Sequence, residues 1–169
     1  MKLLANLPSV KALLQVFDPT KASMLGNMCY EPNFYKNNIY LLPILPKDDL
    51  TNPDNARFVF EIIPNDKDNG IYLIRSIMDH YYISIVSEYY PTLKTTNGFD
   101  KNSLFQFYED TLVDSYGNTL PVFYIYSPTA NAWIGASYIE QEDTEIRNCL
   151  CLVEEKDRVR FTIGQTYNT

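Results

Sequence analysis

Three times along this chain a short apolar run leads into a turn and a second apolar run: Leu13 to Val16, Ile71 to Ile74 and Val122 to Ile125 open the three passages. Runs this short, bounded by turn formers, are the length of buried strands and too short for ordinary helices. Later in each passage comes a strict alternation: Phe58-Val-Phe60, Phe105-Gln-Phe107 and Val159-Arg-Phe161. A period of two puts both flanking apolar side chains on one face of a strand. Pro64 to Gly70 and Asp114 to Asn118 are rich in turn residues, and Asn69-Gly70 is a hairpin signal. Ile39 to Leu45, Leu93 to Thr96 and Cys149 to Val153 supply one more strand apiece. The pattern predicts an all-β chain of twelve strands in three four-strand units.

The openings also match residue by residue. Phe17-Asp-Pro-Thr-Lys-Ala-Ser-Met-Leu-Gly26 sets an aromatic residue, Pro-Thr, a large apolar residue, an aliphatic and Gly where Tyr126-Ser-Pro-Thr-Ala-Asn-Ala-Trp-Ile-Gly135 has them. Arg75 to Ser84 keeps the apolar pair, Tyr82-Ile83, followed by a small residue. A lone four-strand unit has an apolar face with nothing to cover it, so three such units must pool their faces in one core. The expected organisation is a single domain over 1–169, with an extension at 1–11 and units at about 12–63, 64–113 and 114–169. Leu3, Leu7, Val10, Leu14 and Phe17 have helical spacing, but Pro8 and Ser9 cut across that stripe. A short extension before a strand starting near Ala12 is the better reading. The stretch Pro46 to Asn55 is a loop that lengthens the first unit.

On these repeats the chain resembles the β-trefoil superfamily over residues 12–163. That superfamily includes ricin-type lectins, Kunitz-type and mushroom cysteine-protease (mycocypin-like) inhibitors, fascin-like modules and fibroblast-growth-factor-like cytokines. The resemblance implies a fold, a β-trefoil, and no single activity. Ricin-type lectins carry Gln-x-Trp in their closing strands. The corresponding triplets here, Phe58-Val-Phe60, Phe105-Gln-Phe107 and Val159-Arg-Phe161, all lack it, which argues against ordinary galactose recognition.

Composition narrows the chemistry. The 169 residues include 14 Tyr, 9 Phe and 1 Trp, an unusual aromatic load. Fourteen Lys and Arg against 21 Asp and Glu give a net charge of -7, which opposes autonomous nucleic-acid binding. Asn6, Pro8 and Lys11 interrupt the apolar start, and no run is long enough for a membrane span. Cys29, Cys149 and Cys151 are an odd set that reads as buried thiols, and the chain lacks an N-glycosylation acceptor, so a cytoplasmic location is expected. One histidine, His80, leaves little for acid-base catalysis or for a metal, and no nucleotide-binding glycine motif occurs. The acidic runs around Asp48, Asp66 and Glu140 lack a calcium-loop register and read as solvated turns. No enzyme activity, cofactor or metal is expected.

The remaining clue is aromatic residues in loops. Tyr89-Tyr90-Pro91 follows the second strand of the middle unit, with Tyr30, Phe34 and Tyr35 at the matching place in the first unit and Tyr138 in the third. Tyrosine offers an apolar ring with a polar tip, suited to interfaces and to sugars. The candidate binding residues are Tyr89 and Tyr90 with Asp79, His80, Asn97 and Asp100 around them. Lys156, Arg158 and Arg160 form a possible small anion site. The functional expectation is a non-enzymatic module that docks a protein partner through its loops, either as an inhibitor or as a subunit of a larger assembly. The proline-studded loops at 46–55 and 87–100 motivate it. The alternative is a lectin-like, glycan-binding trefoil.

Overall fold

The computed structural model describes residues 1–32, 39–42, 52–85, 93–140 and 146–167. A two-residue strand, β1 (Lys2–Leu3), precedes three groups of four. The first holds β2 (Val10–Phe17), β3 (Met24–Cys29), β4 (Tyr40–Leu42) and β5 (Val59–Asp66). The second holds β6 (Ile71–Ser76), β7 (Tyr82–Ile85), β8 (Leu93–Thr96) and β9 (Phe105–Val113). The third holds β10 (Thr119–Ser127), β11 (Ala132–Glu140), β12 (Ile146–Val153) and β13 (Arg160–Tyr167). Each closing strand is introduced by a 3-10 turn, at Pro53–Phe58, Lys101–Ser103 and Glu155–Asp157.

The first and last strands of the groups close a six-stranded antiparallel barrel. β2 pairs with β5, β5 with β6, β6 with β9, β9 with β10, β10 with β13, and β13 returns to β2. The middle strands form the hairpins β3–β4, β7–β8 and β11–β12, which cap one end. Ile39 ties the three caps together: its N–H donates to the Leu93 carbonyl and its own carbonyl accepts from Leu150 N–H at 2.8 Å. This arrangement is a β-trefoil.

The closing-strand alternation does what its period requires. Phe60, Phe107 and Phe161 are fully buried in one core cluster with Leu14, Ile62, Tyr72 and Ile125. Phe123 lies 5.3 Å from Phe107 and 5.8 Å from Phe161, ring centre to ring centre, so units two and three interlock through aromatic contacts. Phe105 and Val159 join the same cluster. Phe58 does not: it ends the 3-10 turn and packs with Cys29, Tyr40 and Cys149 in a second, smaller cluster.

The small residue that ends each matched opening has a steric cause. A Cβ on Gly135 would stand 2.5 Å from Val153 Cγ1, and one on Gly26, at φ +155°, would meet the Leu42 carbonyl oxygen at 3.0 Å. In both hairpins a residue of the third strand leaves no room for a side chain at that position of the second. The N-terminal stripe is extended rather than helical, and β2 starts at Val10, two residues before Ala12. β1 adds to the edge of β9, with Leu3 opposite Tyr108. Leu4 and Leu7 pack on the core, and the Tyr72 hydroxyl bridges them, donating to the Leu4 carbonyl and accepting from Leu7 N–H. The extension thus covers the barrel beside the β5–β6 turn.

Candidate binding site

Of the sequence-selected residues, Asp79, His80, Asn97 and Asp100 are in view, while Tyr89 and Tyr90 lie outside the described residues, as do Phe34 and Tyr35. Asp79 and His80 sit in the β6–β7 turn. Asn97 and Asp100 follow β8, and the pairing of Tyr82 with Thr96 brings the two segments side by side. They do not converge on one point. Asp79 turns inward, accepting from the Tyr30 hydroxyl at 2.7 Å and from Tyr81 N–H at 2.9 Å. His80 is exposed at φ +61°, a turn residue rather than a strand residue. Asp100 caps the short 3-10 turn through Asn102 N–H.

Two loop aromatics prove to be something else. Tyr30 is 1% exposed, and burial, reinforced by Asp79, pushes its hydroxyl up to about 12. Tyr138 falls inside β11. The anion site does not form either. Arg160 donates to the Asp18 and Lys21 carbonyls, pinning the β2–β3 turn, and the Arg158 guanidinium sits over the Tyr124 and Trp133 rings. Among the described residues, no three His, Cys, Asp or Glu side chains are placed to share a metal ion.

The more informative surface is the outer wall of the third unit. Residues directly opposite in an antiparallel pair share a face. The β9–β10 register therefore sets Leu112 with Leu120, Asp110 with Val122, Tyr108 with Tyr124 and Gln106 with Tyr126 in one row, which β11 extends by pairing Tyr126 with Trp133. Trp133 is 4.9 Å from the Tyr126 ring and 5.3 Å from that of Tyr108. Arg158 closes the group, its guanidinium carbon 3.8 Å over Tyr124 and 4.5 Å over Trp133, with Glu155 as ion-pair partner. Polar atoms rim the rings: Tyr124 donates to Asp110, and Tyr126 bonds Asn131. Tyr124 thus belongs to this outer wall.

The row runs out to the β9–β10 hairpin tip, where Val113, Tyr116 and Leu120 are exposed, Tyr116 to 89%. That tip is held in shape because the Asp114 carboxylate accepts from Tyr116 N–H and Asn118 N–H. The threefold pattern itself shows how unusual the wall is. The positions of Tyr126 and Trp133 are taken by Phe17 and Met24 in the first unit and by Arg75 and Tyr82 in the second, each pair likewise in register. In the second unit Arg75 Nη2 donates to both carboxylate oxygens of Glu61, each at 3.1 Å.

A separate cleft of about 410 Å³ opens between the first and second units, lined by Glu31, Pro53, Asp54, Arg57 and Met78. Arg57 donates to Glu31 at 2.9 Å, and that bond holds the guanidinium's pKa above its ordinary value.

No family model and no curated protein sequence matches the chain. Solved structures do. The chain is similar to a BEL β-trefoil, with a TM-score of 0.58, 16% identity, and coverage of 95% of this chain and 97% of that one. It is similar to an SDF2-like protein from Arabidopsis thaliana, with a TM-score of 0.59, 5% identity, and coverage of 90% and 92%. It also resembles a Polyporus squamosus lectin solved with a sialylated glycan epitope, with a TM-score of 0.58 and 10% identity, covering 92% of this chain and 49% of the lectin. At such identities the likeness carries the fold alone, and with the closed barrel and its three hairpin caps it makes this chain a β-trefoil.

Proposed function

We propose that the protein is a non-catalytic binding module that docks a protein partner on the outer wall of its third unit. The observation that carries this reading is the cluster at the inner end of that wall's row, in which the only tryptophan, Trp133, meets Tyr108, Tyr126 and Arg158, all half-buried, over the buried Tyr124 ring. Tyr, Trp and Arg are the side chains that supply most interface energy, because they bury large areas while keeping a polar group for the rim. The rings and Arg158 already contact one another, so little ordering cost remains on association. The rigid hairpin tip extends the same surface. A net charge of -7 favours a partner that is not itself acidic. Three buried cysteines support a reducing, cytoplasmic setting.

The test is affinity capture from the native source with the wild-type chain and with Trp133→Ala and Tyr116→Ala. Truncating a central aromatic anchor costs about 2 kcal/mol or more, roughly thirtyfold in affinity. A stoichiometric protein retained by the wild type and lost with Trp133→Ala is the expected result. Equal retention by both variants, or no retained protein, refutes the assignment. Glycan recognition is the second reading, consistent with the lectin among the similar folds.

A further inference from the structure

We infer that Asn97, in the turn after β8, is a modification site at which the chain converts an asparagine into aspartate and isoaspartate. Isoaspartate is the substrate class of carboxyl methyltransferases that use S-adenosylmethionine. The site is independent of the third-unit wall and goes beyond the protein-docking reading. Two Asn-Gly pairs occur in the chain, Asn69-Gly70 and Asn97-Gly98. Glycine after asparagine presents its backbone nitrogen with no Cβ in the way. The Gly98 nitrogen attacks Asn97 Cγ and closes a cyclic imide; the Cγ–Nδ2 bond breaks, and ammonia leaves with the proton that Gly98 N–H gives up. Water then opens the ring at Cγ, giving aspartate, or at the Asn97 main-chain carbonyl carbon, giving isoaspartate. Nothing is oxidised or reduced.

The fold locks one pair and leaves the other open. Asn69 Nδ2 donates to Asp66 Oδ2 at 2.8 Å, its carbonyl accepts from Gln106 Nε2 at 3.0 Å, and Gly70 N–H is committed to the Lys67 carbonyl. Gly70 is buried under the N-terminal extension, where a Cβ would meet Leu3 Cγ at 3.1 Å. Both reacting groups of that pair are therefore held, and the backbone around them has no room to turn. Asn97 and Gly98 are both exposed, and nothing stands within 4 Å of the place a Gly98 Cβ would take. Among the described residues, neither the Asn97 amide nor Gly98 N–H has a hydrogen-bond partner. Thr96 Oγ1 donates to the Gly98 carbonyl at 2.8 Å, which ties up neither reacting atom. The product alters its surroundings. A new carboxylate adds to a net charge of -7, and isoaspartate lengthens the backbone between β8 and the Asp100-capped turn, displacing Phe99 from the Tyr82 ring 5.2 Å away.

The experiment is ageing of the native full chain in mildly alkaline buffer, read by mass-spectrometric peptide mapping and by methyl transfer from labelled S-adenosylmethionine with a purified isoaspartyl methyltransferase. Conversion at Asn97 is expected to outrun that at Asn69 roughly thirtyfold, because the Asp66 and Lys67 hydrogen bonds must both open before Asn69 reacts. In urea the two sites should convert at comparable rates, which identifies the fold as the cause of the difference. Gly98→Ala, where a methyl meets open space, should keep the fold and lose both the mass change at Asn97 and the methyl acceptance. If that variant fails to fold, Asn97→Gln, whose longer side chain cannot close the same ring, should show the same loss. An inert Asn97 in the native chain, equal native conversion of Asn69, or methyl acceptance undiminished in these variants overturns the inference.

Discussion

The contact between the Tyr30 hydroxyl and Asp79 joins the first unit to the turn of the second, and its strength can be worked out before it is measured. Tyr30→Phe removes one oxygen from a side chain that is 1% exposed and leaves the ring in place. A hydrogen bond to a charged acceptor contributes about 1.5 to 3 kcal/mol, and Asp79 is half-buried and keeps Tyr81 N–H, so the loss near pH 8 should be about 1.5 kcal/mol. The sign of the pH dependence follows from the raised pKa. Folding favours the protonated hydroxyl, so this stabilisation is complete below the unfolded value of 10 and is lost as pH climbs towards about 12. Linkage removes about 1.4 kcal/mol by about pH 11 and about 2.3 kcal/mol by about pH 12. The wild type's advantage over the variant should therefore vanish near pH 11. Urea unfolding followed by the fluorescence of Trp133, which lies in another unit, gives both curves. The other thirteen tyrosines of the 14 cancel in the difference. A variant whose stability differs by under about 0.5 kcal/mol at pH 8, or whose gap from the wild type stays constant from pH 9 to 11, refutes the reasoning.

Two further outcomes follow from packing. Gly135→Ala drives a methyl into Val153 and should destabilise the chain by about 2 kcal/mol, most of which Val153→Ala in the same chain restores; additive losses in the double variant would show that the clash is not the cause. Burial pushes the Cys151 thiol up to about 11, and Cys29 and Cys149 are fully buried. A thiol-specific chromogenic reagent at pH 8 should accordingly find no reactive group in the native protein and three after unfolding, whereas rapid native labelling would contradict the core assignment.

The architecture was legible because it is periodic. Alternation at Phe105-Gln-Phe107 and Val159-Arg-Phe161 demands strands with one buried face, and three copies of a unit that cannot cover itself demand a shared core. Phe60, Phe107 and Phe161 meet there. The pattern failed where side chains answer to tertiary neighbours. Phe58 reads as a strand residue, yet the Asn52-capped turn runs up to it and hands its ring to the second cluster. The helical spacing of Leu3, Leu7 and Val10 is met by an extended segment, because Tyr72 and the β9 edge supply the partners its backbone needs.

The aromatic wall was hidden for a related reason. Tyr124 and Phe123 are adjacent, equally aromatic and both buried, and composition cannot say which of them faces the barrel. Register decides: Phe123 lies opposite Phe161 and enters the core, so Tyr124 must point out, where Arg158 covers it. One signal was present in the sequence all the same. The matched openings place Trp133 against Met24 and Tyr82, and Tyr126 against Phe17 and Arg75, so the residues at these two positions of one face differ in all three copies. The core must satisfy all three copies at once, whereas an outward position in one copy is free of that constraint. Divergence among repeats at outward positions is therefore where a specific surface can arise, whereas Tyr30 turns inward to hold Asp79.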